Sequence, residues 1–409
     1  MNSISESGNK QDVSDLLNHK LKTLKLMKIA VVIQSVIILI LIIFILLGFL
    51  HNRIGIRPGS PEVNQSVSFS PTLQNQNNTS SNNSLTGNNC IPTQDPSLSK
   101  PNPSGQYPAH FIQYVSNCGL TQLGTLTFTT IPGAEVPNVN QQFFGFTPDV
   151  VKLSSNQYRM YYTGNSIAGN NDQNIVSAIS NDDITWRQEP GIRVAHGSTN
   201  SGDFQIQYPA VTYGPNNMYY MTYQGRTQYA SSDSINCYFA TSTDGLNWTK
   251  VSNDEIQKCG KSALEYINGK FELITGANRF ESTNFTIWQN MGSVLPLTAD
   301  PGGIIYVNGL YYMAIQAYAK SPAPTTNDPE DIFLLVSKDG INWSNKGYRI
   351  LWKQPNGSVT DLNAKQFGFE SSLSIAPDGS IILYHDPASQ TSPSPIFGMK
   401  LISSLPSYQ

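Results

Sequence analysis

The feature that most constrains this chain is a pattern of short strands that recurs and is closed each time by a tryptophan turn. From Phe143 the sequence reads FFGFTPDVVKLSSNQYRMYYTG and, after a loop rich in glycine and asparagine, IVSAISNDDITW ending at Trp186. A second copy runs FQIQYPAVTYGPNNMYYMTYQG from Phe204, then CYFATSTDGLNW to Trp248. A fainter third carries SALEYINGKFELITGA from Ser262 and ends near Trp288. The fourth has PGGIIYVNGLYYMAIQAY from Pro301 and DIFLLVSKDGINW to Trp343, and FGFESSLSIAPDGSIILYHD from Phe367 is a partial fifth. Alternating β-branched and aromatic runs separated by polar turn residues read as strands.

Repeat centres at Tyr161, Met221, Leu273, Met313 and Leu383 lie about 40 to 70 residues apart, the length of a four-stranded propeller blade plus loops of unequal size. One such sheet cannot cover both its faces, so successive copies must stack radially. The fold expected is all-β, a five-bladed β-propeller over residues 111–409. The competing architecture is a β-sandwich whose hairpins look alike.

The first quarter of the chain is not built to hold a core. Residues 1–28 are polar, with Lys20, Lys22, Lys25 and Lys28 toward their end, and read as a cytoplasmic tail. Residues 29–50, IAVVIQSVIILILIIFILLGFL, form an apolar run long enough to cross a bilayer as a helix. It is too long for the hydrophobic region of a cleaved signal peptide and lacks a small-residue cleavage site. Lysines before it, against only His51 and Arg53 just after it, predict a single-pass type II orientation in a cell membrane or viral envelope. Residues 51–110, rich in Pro, Ser, Asn, Gln and Thr, read as a disordered stalk.

Charged residues make up 13% of the chain and the net charge is -3, with no basic run beyond the lysines before the apolar segment, which argues against nucleic acid as a partner. Cys90, Cys118, Cys237 and Cys259 would all lie outside the cytosol, where disulfides persist. Of the three possible pairings, proximity favours Cys90 with Cys118 and Cys237 with Cys259. Their spacing matches no zinc site, and no cofactor is expected. Sequons at Asn64, Asn77, Asn78, Asn82, Asn247, Asn284, Asn342 and Asn356 would make the chain a glycoprotein in an organism that reads them.

The turns SNDDITW, STDGLNW and SKDGINW share a plan, beginning at Ser180, Ser242 and Ser337. A short acidic side chain accepts hydrogen bonds from its own turn, glycine permits positive φ, and the tryptophan packs back on the sheet. Asp183, Asp244 and Asp339 are taken as the acids of these turns, in a structural role.

These turns resemble the Asp-box of sialidases and related propellers. The blade openings resemble the five-bladed glycoside hydrolases of the arabinanase, xylosidase and fructosidase-like superfamily, over roughly residues 143–390. The resemblance implies a carboxylate pair at the channel mouth acting on a carbohydrate or glycoconjugate. Asp149 in TPDVV matches the first-blade aspartate that serves as base or nucleophile. A second carboxyl would stand about 5 Å away for retention or 6.5 to 9.5 Å for inversion. Glu370, after a second Phe-Gly-Phe, is the expected partner; Glu265 is a further candidate, with Asp203 and Asp300 in reserve. His385 and Asp386 are a weaker pair near the axis. The second blade opens with Gln207, Tyr208 and Pro209 where relatives carry an aspartate, so a receptor or attachment protein without catalysis is the alternative. The arginines occupy no common blade position, which argues against a sialidase.

Overall fold

The computed structural model describes residues 118–136, 146–154, 156–165, 173–198, 201–227, 235–251, 256–257, 259–295, 299–319, 331–362, 371–386 and 396–408. The tail, the apolar run, the stalk, Cys90 and Glu370 lie outside the described residues. Among the described residues no helix is long and apolar enough to cross a membrane.

The strands follow the repeats. After β1 (Thr121–Glu135), the first sheet holds β2 (Phe146–Ser154), β3 (Gln157–Asn165), β4 (Gln173–Ser180) and β5 (Arg187–Gln188). The second holds β6 (Gln205–Tyr213), β7 (Tyr219–Arg226) and β8 (Ile235–Ser242), with β9 (Thr249–Lys250) and β10 (Ile256–Gln257) both pairing on β8. The third is β11 (Ser262–Ile267), β12 (Lys270–Thr275), β13 (Asn278–Ser282) and β14 (Gln289–Ser293). The fourth is β15 (Asp300–Val307), β16 (Leu310–Ala317), β17 (Asp331–Ser337) and β18 (Lys346–Lys353), edged by β19 (Val359–Asp361). The fifth is β20 (Ser371–Ile375), β21 (Ile381–His385) and β22 (Phe397–Leu401).

The first strands of the five sheets form a closed circuit, β2 against β6, β6 against β11, β11 against β15, β15 against β20, and β20 back against β2. Five apolar clusters fill the spaces between neighbouring sheets. Tyr161, Ile206 and Met221 lie between the first and second, Phe239, Leu264 and Phe271 between the second and third, and Ile274, Met313 and Phe333 between the third and fourth. Tyr312, Leu334, Leu373 and Leu383 fill the fourth interface, and Tyr384, Ile382, Met160 and Trp186 the fifth. This is a five-bladed propeller, and the sandwich alternative falls. The alternation of strand side chains explains the YRMYY motif: Tyr158, Met160 and Tyr162 serve one interface and Tyr161 the opposite one.

Closure uses a strand that the repeats do not reveal. The first half of β1 runs parallel to β18, and its second half antiparallel to β22. It thus supplies the missing fourth strand of the last blade and stitches the fourth and fifth blades into one nine-stranded sheet. Phe128, fully buried, sits where β1 changes partner, opposite Trp352 on β18 and Leu401 on β22. Cys237 and Cys259 are disulfide-bonded, as expected. Cys118 is also in a disulfide.

The tryptophan turns connect third to fourth strands. In each, one side chain accepts from the amides two and three residues on: Asp182 from Ile184 and Thr185, Asp244 from Leu246 and Asn247, Asp339 from Ile341 and Asn342. The acid of the first turn is therefore Asp182, correcting the assignment of Asp183. Asp183 occupies the glycine position with φ 59°, where Gly245 has φ 70° and Gly340 φ 73°. Counted from the turn serines, which pair with Tyr158, Tyr219 and Tyr311, the residue equivalent to Met221 and Met313 is Met160, one position before Tyr161.

Candidate functional site

Where the inner strands start, three of them are bulged at matching points. The ladder slips between Phe146 and Asp149 on β2, between Gln207 and Ala210 on β6, and between Pro301 and Ile304 on β15. In the first two, a residue with positive φ precedes a proline: Thr147 at 59° and Tyr208 at 54°. A β-branched residue there is strained, and bulges of this kind re-aim side chains beside functional sites. One hydroxyl steadies both bulges, since Thr163 Oγ1 lies 2.7 Å from Thr147 Oγ1 and accepts from the Tyr208 amide at 3.2 Å. On β15 the same place is Gly302-Gly303, where β20 comes so close that a Cβ on Gly302 would stand 2.2 Å from the Ser371 carbonyl oxygen.

These openings line a cavity at the upper mouth of the axial channel, with Asp149, Tyr208, Lys261, Asp300, Gln316 and Ser371 in its wall. Lys261, itself buried, donates to Gln316 Oε1 at 3.0 Å, lies 3.5 Å from Asp300 Oδ2, and stands over the Tyr208 ring at 5.9 Å. Asp149 accepts from the Val211 amide at 2.6 Å and from Ser372 Oγ at 3.2 Å, so it ties the first blade to the second and the fifth. It is half-buried, with protein packed around it and some surface left on the cavity. Removal from water pushes its carboxyl up to about 6, partly offset by those hydrogen bonds.

Glu265 projects from β11 into a second cavity of about 280 Å³ on the other side of this hydrogen-bonded waist. Thr212 Oγ1 lies 3.4 Å from its carboxylate. Burial, and next the charge of Asp149, push it up to about 8. The two carboxyls thus sense each other but open on different cavities.

Asp300 lies in the upper wall, whereas Asp203 lines neither cavity and is paired with Lys250. His385 and Asp386 are buried behind the mouth, with His385 Nδ1 3.0 Å from the Asp386 carbonyl oxygen and its ring 6.0 Å from Phe397. Lys261 and Gln316 were not singled out from the sequence. The first precedes the faintest repeat and the second ends a strand that reads as core, so only the ring geometry brings them together.

No family model and no curated protein matches this sequence. Solved structures do. A glycosyl hydrolase from Bacteroides ovatus aligns with 69% of this chain and 96% of its own at 12% identity and a TM-score of 0.48. A family 117 glycoside hydrolase from Zobellia galactanivorans aligns with 68% and 90% at 13% identity and a TM-score of 0.45. A family 43 β-1,3-galactosidase aligns with 63% and 90% at 12% identity and a TM-score of 0.43.

Proposed function

We propose that the propeller acts on glycans at its upper mouth, with Asp149 as the general base or nucleophile of a glycosidase. The observation that carries this reading is the strained, proline-locked bulge that sets Asp149 in the cavity wall, with its carboxyl poised at about 6. A carboxyl so tuned is ionised at neutral pH and still basic enough to take a proton. Lys261, Gln316 and Tyr208 supply a cation, an amide and an aromatic face of the kinds that hold sugar hydroxyls and stack on pyranose rings. Asp300 is the described acid in the same wall; Glu370 precedes Ser371 in sequence and is the other candidate for the proton donor.

The test is release of reducing sugar from a panel of oligosaccharides. Asp149→Asn should lower turnover by about a thousandfold or more, and the wild-type rate should fall below about pH 6 as the base becomes protonated. Full turnover in Asp149→Asn removes this residue from the reaction.

A second reading is glycan recognition without hydrolysis. It is favoured by the second blade, which opens with Gln207, Tyr208, Pro209 and Ala210 and no acid, and by the two hydrogen bonds already made to the Asp149 carboxylate. A glycan array that gives binding, with every bound sugar recovered intact, selects it.

In either case residues 29–50 anchor the chain in a cell membrane or viral envelope and residues 51–110 hold the propeller away from it, outside the cytosol. The apolar length of the first segment, its flanking lysines and the composition of the second support this part of the proposal.

A further inference from the structure

We propose that the lower cavity of the axial channel is a binding site for a small organic ammonium ion, held by Glu265 and by the tyrosines at the rim. All five inner strands contribute to its wall, where Val150, Val211, Ile304, Leu373 and Ile375 stand among the polar Lys152, Thr212 and Ser374. At about 280 Å³ it has room for about nine waters at ~30 Å³ each, more than a choline-sized ligand requires.

The carboxyl of Glu265 is the acid in this wall, and among the described residues no cationic side chain pairs with it. Lys152, which also lines the cavity, stands over the Tyr158 ring instead, 5.5 Å from its centre. A carboxylate withdrawn from water without a counter-charge is stabilised by whatever cation enters. A hydrated inorganic ion would forfeit its water against aliphatic walls, whereas an alkylammonium carries its own apolar surface.

The rim adds a second, independent observation. Tyr213 and Tyr306 lie nearer the turns than Glu265 and are 48% and 57% exposed. Each is braced by a neighbouring tyrosine, Tyr213 by Tyr219 at 5.0 Å and Tyr306 by Tyr311 at 4.6 Å. Exposed rings held in place by partners, above a carboxyl with no cationic partner, are the elements of cation–π capture. Nothing in this argument uses the upper mouth, so glycan hydrolysis can fail while this site stands.

Titration calorimetry on the purified full-length chain at pH 8.5 tests it with two probes of equal shape, choline and 3,3-dimethylbutan-1-ol, and with calcium chloride and sodium chloride at matched ionic strength. Choline is expected to bind at least about tenfold more tightly than the neutral alcohol. Glu265→Gln should weaken it by about the same factor, and Tyr306→Ala, at a position 57% exposed, by several-fold. Equal binding of alcohol and choline, undiminished binding in Tyr306→Ala, calcium in preference to choline, or no choline binding would each overturn the proposal.

Discussion

Asp182 and Asp183 are adjacent carboxylates with opposite effects on stability. Burial is the largest single influence on Asp182 and raises its carboxyl, but the hydrogen bonds it accepts from the Thr185 and Ile184 amides and from the Ser180 and Thr185 hydroxyls together outweigh it and hold the carboxyl down at about 2. Asp183 is fully buried with φ 59°, accepts from Ser374 Oγ on the fifth blade at 2.6 Å, and has its other oxygen without a hydrogen bond. Burial pushes it up to about 7, with the charge of Asp182 adding to the rise and Lys152 opposing it. The folded state therefore keeps a proton on Asp183 that the unfolded chain releases near pH 4, and stability falls as pH climbs from about 4 to 7. The full penalty above pH 7 is of order 4 kcal/mol. Asp183→Asn, which tolerates positive φ and cannot ionise, is expected to raise the denaturation midpoint at pH 8 and to match the wild type near pH 4.5. Counting two residues on from Ser180, Ser242 and Ser337 puts Asp182, not the expected Asp183, at the place of Asp244 and Asp339, as the backbone conformation then shows. That Asp149 stands at a blade opening was legible from its place in TPDVV; its hydrogen bonds to Val211 and Ser372 were not, since they span 62 and 223 residues.

The tryptophan turns are the elements that lock blade to blade. The residue at the left-handed position reaches the preceding blade in each case: the Gly245 carbonyl accepts from the Tyr161 hydroxyl at 2.9 Å, and a Cβ on Gly340 would strike Ile267. Phe285 takes that position in the third blade, with φ 65°, and buries its ring against Tyr220, Phe239, Phe271 and Trp288. The third copy is faint in sequence for this reason. Asn284 replaces the acid yet accepts from the same two amides, at 3.1 and 3.0 Å, and an aromatic replaces the glycine. Hydrogen-bonding capacity was retained while the letters changed. Asp339→Ala would remove bonds from Ile341 N, Asn342 N and Asn342 Nδ2, at 3.0, 2.8 and 2.7 Å. Its expected cost, by analogy with loss of a helix cap, is about 1 to 2 kcal/mol, read from a urea midpoint.

At the scale of the whole ring, the number of blades was legible from the repeats and the manner of closure was not. The fifth copy looked partial because its fourth strand lies at the beginning of the domain, in a stretch with no repeat to align against. Truncation at the junction should show how much closure depends on that strand. Phe128→Ala, which empties the point where β1 passes from β18 to β22, is expected to destabilise the propeller by about 3 to 5 kcal/mol in chemical denaturation. The same strand has a mechanical consequence. Tension transmitted along the chain from its N-terminal side enters the described domain at Cys118 and meets β1 first. Because β1 is held along one edge by β18 and then along the other by β22, such a pull is shared between the fourth and fifth blades, and the seam of the ring becomes its tow-point.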